Sequence, residues 1–279
     1  MANPVVAACV QLNSGPDIDD NLTAAGRLIR EAAVEGAEFI ITPENTDFIR
    51  ETKEQTLETA LEENKHPGPI FFGELAKQLG VWLLIGSMKI KVAEDKVANR
   101  SFLFSKTGQL MATYDKIHLF DCDLPTGETH RESDMVVAGK MAAVVKTPWK
   151  PVGLSICYDM RFPYLYRSMA QRGAEIIAVP SAFTVPTGKA HWEVLLRARA
   201  IETGSYILAP AQCGEHEGGR TTYGHSMIID PWGKIIAERE VDTPGVIMRK
   251  LHFEEVTKAR FSIPSLQKDS SFDFYETKL

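Results

Sequence analysis

One eight-residue segment occurs twice in this chain, and it restricts the possible fold more than any other feature. GAEFIITP at 36–43 is echoed by GAEIIAVP at 173–180. Each copy follows a stretch of helical periodicity, runs through apolar residues of strand length and stops at a proline. The residues after the two prolines are Glu44 and Ser181. Eight residues can coincide by chance. Otherwise the echo describes a pseudo-two-fold α/β domain whose two strand ends open on one shared site, since α/β sheets place ligands at the carboxyl ends of their strands.

The rest of the chain reads as interleaved strands and helices. Pro4–Leu12 is a continuous apolar run, as in a strand buried on both faces. Asp17–Ala37 places Leu22, Ala25, Leu28, Ile29, Ala32 and Ala33 at helical spacing, and Gly36 is positioned to stop that helix. Further strands are expected at Phe39–Ile41, Val81–Ser87, Tyr206–Ala211, His225–Asp230, Lys234–Glu238 and Val246–Lys250. Asn99–Ser105 and Gln109–Tyr114 read as a hairpin. Met141–Thr147 and Val152–Ile156 form another strand pair. Helices are expected at Gly68–Leu79, Phe162–Arg172, Ala190–Thr203 and Phe253–Arg260, with a turn at Pro231–Gly233. No linker-like stretch divides the chain, so 1–279 is expected to be one domain with 265–279 as a tail.

Composition removes several classes of function. A net charge of −6 over 279 residues argues against broad nucleic-acid binding. No apolar run approaches the ~18 residues of a membrane span. MANPVVAACVQL lacks a basic n-region and a long apolar core, which argues against a signal peptide and for the cytoplasm. The four cysteines, Cys9, Cys122, Cys157 and Cys213, form no CxxC pair and no disulfide framework. Cys213 and His216 make only a two-ligand fragment, so no metal site is expected.

Four residues are placed to carry chemistry. Cys157 ends a buried strand just before a helix, where the positive end of the helix dipole favours a thiolate and the Tyr158 N–H faces a developing oxyanion. Against this, a free cysteine is often an inert buried thiol. Glu44 follows a buried strand and a proline. Burial would raise its pKa and suit it to general acid–base work, unless it is a solvated loop residue. Lys116 leaves an alternating strand among apolar residues. It either snorkels to the surface or points inward as a fixed cation. Glu132 lies in a polar loop and alone reads as solvated.

Taken together, TPEN around Glu44, YDKIHLFD around Lys116 and SICYDMRFP around Cys157 resemble the nitrilase superfamily of carbon–nitrogen hydrolases, over nearly the whole chain. The resemblance implies a four-layer α-β-β-α sandwich and a Glu-Lys-Cys triad. Glu44 would be the base, Lys116 the oxyanion cation, Cys157 the nucleophile and Glu132 a second glutamate supporting the lysine. It also implies pairing into a homodimer or larger homo-oligomer, and no metal or organic cofactor.

The second half, through PSAFTVPTGKAHWEVLLRARAIET, APAQCGEH and YGHSMIIDPWG, is similar to the Nit branch. That implies a small anionic amide as substrate: deaminated glutathione, or alternatively alpha-ketoglutaramate. Lys189 and Asn45-Thr46 depart from the branch at the rim of the pocket. An anionic substrate calls for a cation. Arg161 is the candidate, unless it pairs with Asp159 or Glu44. Phe183, Thr184, His191 and Lys189 are further pocket candidates, with Arg220 as another cation. A nitrilase, an N-carbamoyl amino-acid hydrolase, a non-catalytic interaction protein and a redox-sensing thiol protein are the alternatives.

Overall fold

The computed structural model describes residues 3–125, 127–275 and 277. In chain order its strands are β1 (Val5–Gln11), β2 (Phe39–Ile41), β3 (Trp82–Ala93), β4 (Lys96–Phe104), β5 (Leu110–Asp115), β6 (Asp121–Asp123), β7 (Thr129–Arg131) and β8 (Ala143–Val145). They continue as β9 (Val152–Leu154), β10 (Ile176–Ala178), β11 (Tyr206–Ala209), β12 (Cys213–Glu215), β13 (Thr221–Tyr223), β14 (Met227–Ile229), β15 (Ile235–Glu238) and β16 (Gly245–Leu251). The helices are α1 (Ile18–Val34), α2 (Lys53–Thr59), α3 (Pro67–Leu79), α4 (Pro163–Gln171), α5 (Val185–Thr203) and α6 (Phe253–Ser262).

Two six-stranded sheets carry the fold, ordered β16-β1-β2-β3-β4-β5 and β8-β9-β10-β11-β14-β15. Read in these directions, both run antiparallel, parallel, parallel, antiparallel, antiparallel. The echoed segments supply β2 and β10, the corresponding third strand of each sheet. The repeat in the sequence is therefore a repeat of topology.

The side-chain period of two assembles the layers. Along β1, Val5, Ala7 and Cys9 join one core cluster with Phe39, Ile41, Val152, Leu154 and Ile176, between the two sheets. Ala8 and Val10 face the other way, against Leu22, Leu28 and Ile29 of α1 and Phe72 and Leu75 of α3. Helices α4 and α5 cover the second sheet with Leu165, Met169, Trp192 and Leu196. The order is helices, sheet, sheet, helices: a four-layer α-β-β-α sandwich.

Local signals place most helix ends. Asp17 caps α1 by accepting from the Asp20 N–H at 2.9 Å. Gly80 ends α3 and Gly204 ends α5, both left-handed. Helix α5 begins at Val185, ahead of the expected Ala190, because Pro186 suits a first turn. Strand β3 runs on past Ser87 to Ala93, with Met88 and Ile90 buried on the same face as Leu83 and Ile85 after a register shift at 86–87.

Gly86 explains how the two sheet ends approach so closely. A Cβ there would overlap the Thr42 and Pro43 carbonyl oxygens and Pro180 Cβ. Both prolines that end the echoed segments thus converge on one glycine. The expected tail starts with a turn at Ser265–Gln267, and Arg167 of α4 binds Asp269 at 2.6 Å. Residues 276, 278 and 279 of that tail lie outside the described residues. No helix among those described is long and apolar enough to cross a membrane.

Candidate active site

Glu44, Lys116 and Cys157 leave three different strand ends and meet at one point. Lys116, which is 2% exposed, sits 2.9 Å from Glu44 Oε1 and 2.8 Å from Glu132 Oε2. The Asn99 amide donates to Glu44 at 2.9 Å and to Glu132 at 3.2 Å. The Ala182 N–H, just past the second echoed proline, donates to Glu44 Oε2 at 2.9 Å. Cys157 lines the same cavity as this carboxylate, and the Glu44 charge acts on its thiol. Glu132 is not a solvated loop residue: the Phe120 N–H also reaches it, at 2.7 Å.

Cys157 holds a left-handed backbone conformation, with φ at 49°. A β-carbon residue there stores strain on the order of 1–3 kcal/mol, which surrounding contacts must hold. One such contact is the Cys157 N–H donating to the Pro180 carbonyl at 2.9 Å. Among the described residues the Tyr158 N–H has no acceptor.

The electrostatics correct two expectations. The expected thiolate at a helix N-terminus is not what the fold builds. Only a short 3-10 turn, Cys157–Arg161, follows the cysteine, and α4 starts at Pro163. Burial, with the Glu44 charge beside it, pushes the thiol up. The second expectation is a raised Glu44. Burial does act in that direction, but Lys116, with the hydrogen bonds from Lys116 and Asn99, holds it below the ordinary carboxylate value. Burial would lower Lys116, yet Glu132 and Glu44 hold it well above an ordinary lysine. The resting arrangement is therefore a neutral thiol beside a carboxylate that a buried ammonium keeps ionised.

Two cavities open on Cys157. The larger, about 400 Å³, is lined by Glu44, Lys89, Lys116, Glu132, Cys157 and Arg220, among others. A small one of about 20 Å³ is lined by Phe120, Cys157, Tyr158, Arg161, Ala182, Phe183, Thr184 and Thr187. Arg161 pairs with neither Asp159 nor Glu44. Its guanidinium lies over the Tyr158 and Phe183 rings and donates to His191 Nδ1 at 3.3 Å. Phe183 is buried and packs on Trp192. Thr184 is the residue before α5, its hydroxyl paired with Thr187 at 2.8 Å. Lys189 is exposed on α5 and lines neither cavity, and His191, also exposed, reaches the site only through Arg161.

Three residues complete the site that sequence reading does not single out. Asn99 stands beside Arg100 and Ser101 on β4 and carries no signal that sets it apart. Gln212 donates to the Glu44 and Asn45 carbonyls at 3.0 Å each and fixes that turn. Asp159, fully buried, accepts from the His118 and Ile156 N–H groups at 2.9 Å and the Tyr114 hydroxyl at 2.7 Å. It joins the segment carrying Lys116 to the turn carrying Cys157.

This fold, with a cysteine, a carboxylate and an ammonium meeting at its strand ends, defines a class of hydrolase. The carbon–nitrogen hydrolase pattern matches residues 6–261, and the chain belongs to the carbon–nitrogen hydrolase family. It is 41% identical over 269 residues to the deaminated glutathione amidase of Synechocystis sp. (strain PCC 6803 / Kazusa), covering 95% of this chain and 97% of that one. It is 40% identical over 276 residues to the deaminated glutathione amidase of Homo sapiens, covering 95% and 81%. Among solved structures, the C. elegans NitFhit protein superposes with a TM-score of 0.89 at 36% identity, over 96% of this chain and 66% of that one. Saccharomyces cerevisiae Nit3, a member of branch 10 of the nitrilase superfamily, gives 0.84 at 29% identity, over 94% of each.

Proposed function

We propose that the chain is an amidase acting through a Cys157 thioester, with deaminated glutathione as substrate and alpha-ketoglutarate and Cys-Gly as products. The observation that carries the chemistry is the single carboxylate, Glu44, bound to the Lys116 ammonium at 2.9 Å and facing the same cavity as the Cys157 thiol, on which its charge acts. As sulfur attacks the amide carbon, Glu44 takes the thiol proton. The oxyanion forms beside Lys116 and the free Tyr158 N–H, where fixed donors act most strongly. Glu44 returns the proton to the leaving amine as the C–N bond breaks. It next deprotonates water, which attacks the thioester; as the C–S bond breaks, Glu44 returns that proton to the Cys157 sulfur and the acid leaves. Glu132 keeps Lys116 charged and oriented.

The substrate reading rests on the relatives' activity and on Arg161, a guanidinium beside Cys157 with no carboxylate partner among the described residues. Phe183 and Thr184 shape the wall below it, while His191 steadies it. Lys189 would act only at the outer rim.

We also read the protein as a cytoplasmic homodimer or larger homo-oligomer. All four cysteines are free. Tyr164, Val194 and Ile201 on α4 and α5 are 60%, 68% and 53% exposed, an apolar surface suited to a second copy.

Product release from deaminated glutathione and alpha-ketoglutaramate, measured side by side for wild type and Cys157→Ala, tests the reading. Faster turnover of the first, lost in the variant, is expected. Faster turnover of alpha-ketoglutaramate would make the enzyme an omega-amidase instead. A panel with nitriles and N-carbamoyl amino acids covers the remaining chemistries.

A further inference from the structure

Lys89 is the buried cation that the mechanism above does not use. A β-bulge puts it there. Ile85 pairs with Phe102 and Met88 with Arg100, so β3 spends two residues, Gly86 and Ser87, opposite Ser101 alone. The extra residue inverts the alternation. Ile85, Met88 and Ile90 all face the α1/α3 layer, and Lys89 turns to the opposite face, into the larger cavity at Cys157.

Once there, its acceptors among the described residues are neutral. Its ammonium donates to Asn45 Oδ1 at 2.6 Å and to the Phe48 carbonyl at 3.4 Å, and lies over the Phe48 ring. Among the described residues it forms no ion pair, although it is only 7% exposed. The Asp47 and Glu44 charges act on it without an ion pair to either; a buried ammonium with no carboxylate in contact is costly, and that cost is offset when a ligand supplies one. Asn45 itself is held left-handed, φ 57°, with its oxygen on this lysine. Arg220 lines the same cavity, with Glu51 also on its wall, and among the described residues its guanidinium bonds only the Ala182 carbonyl, at 3.3 Å. Arg161 lines the other cavity, which shares just Phe120, Cys157 and Ala182 with this one.

We propose that Lys89 and Arg220 form a second carboxylate-binding point, separate from Arg161, so that the site selects amides carrying a carboxylate on each side of the scissile C–N bond. The inference rests on the amidase reading and narrows it. A substrate releasing only ammonia has no group for one of the two points. Burial lowers the Lys89 pKa against the opposing charges of Asp47 and Glu44, the Arg220 charge adds to the lowering, and an arriving carboxylate works against it.

Four matched amides test the proposal: N-glutarylglycine, N-valerylglycine, N-glutarylethylamine and N-ethylvaleramide. They carry carboxylates on both sides, the amine side, the acyl side and neither. For wild type, kcat/KM is expected to drop roughly tenfold or more when either carboxylate is removed. Lys89→Met and Arg220→Gln are each expected to erase the advantage of one carboxylate, the same one for both. Lys89→Arg should restore it, and Arg161→Gln should erase the other. Equal loss of both advantages in Lys89→Met and Arg220→Gln, or wild-type ratios in both, overturns the proposal. So does a wild type indifferent to the carboxylates, an outcome that leaves the amidase reading standing. No turnover of any of the four, with deaminated glutathione also inert, would remove both.

Discussion

Glu44 Oε1 and Lys116 Nζ are 2.9 Å apart, and both groups are almost completely buried. This contact makes the site a proton acceptor at rest. The thiol beside it stays neutral until an electrophile arrives. The consequences are measurable.

Glu44→Gln keeps the shape of the side chain but cannot take a proton. Turnover should fall by about 10²–10⁴-fold. Cys157→Ala should lose roughly four orders of magnitude or more, since the covalent route is gone. Intact-mass spectrometry after mixing with substrate should detect an acylated chain in the wild type and none in Cys157→Ala. An adduct in the alanine variant would move the nucleophile elsewhere.

Lys116→Met leaves Glu44 and Glu132 facing each other without their shared cation. Removing one partner of a buried ionic cluster costs about 3–5 kcal/mol. Denaturant unfolding should register that loss, and Glu132→Gln in the same background should recover part of it. A variant as stable as wild type would contradict the burial of charge at this point.

The pH dependence follows from the signs of the shifts. Glu44 is lowered in the fold, so its contribution is complete above the ordinary carboxylate value of 4.5 and disappears as pH falls through its native value. Lys116 is raised, so its contribution is complete below 10.5 and disappears as pH climbs through its native value. The stability gap between wild type and Glu44→Gln should be flat near neutrality and close in acid. Cys157 is raised from 9.0, so its alkylation by iodoacetamide in the free enzyme should stay slow across neutral pH. A fast reaction near pH 7 would indicate a standing thiolate.

Asp159→Asn changes a carboxylate that receives several donors into an amide that can satisfy only some of them. A stability loss of about 1–3 kcal/mol is expected. Because Asp159 positions Cys157 and Lys116 without touching substrate, kcat should drop while KM for deaminated glutathione changes little. A change confined to KM would mean that it contacts substrate after all.

Gly86→Ala should be among the most damaging small substitutions in the chain. The added methyl meets two backbone carbonyls and a proline ring, none of which swings aside cheaply. A cost of about 3 kcal/mol or more, at the upper end of overpacking, should appear as a lower unfolding midpoint.

Much of this architecture is legible in the order of the amino acids. Buried strands announce themselves as apolar runs, so β1, β2 and β10 are placed nearly to the residue. The echo predicts the twofold topology. Strand ends locate Glu44, Lys116 and Cys157 because buried strands must deliver their next residues to an edge. What stays hidden depends on contacts between distant segments. Asn99 and Gln212 are ordinary polar residues until they bridge Glu44 to other segments. The direction of the Glu44 shift needs the position of Lys116, and the Cys157 shift needs Glu44. Lys89 escapes notice because simple alternation puts it on the helix face; only the bulge at Gly86 and Ser87 turns it inward.

The matching strand orders of the two sheets have a consequence for the newborn chain. The first half supplies Glu44, Asn99 and Lys116, and the second supplies Cys157 and the Ala182 N–H. Neither half owns a working site, and no local segment can assemble one. A ribosome-bound first half lacks both the cysteine and β16, the strand that completes its own sheet beside β1. Activity therefore reports that both sheets are in place, the first of them closed by a strand from the far end of the chain.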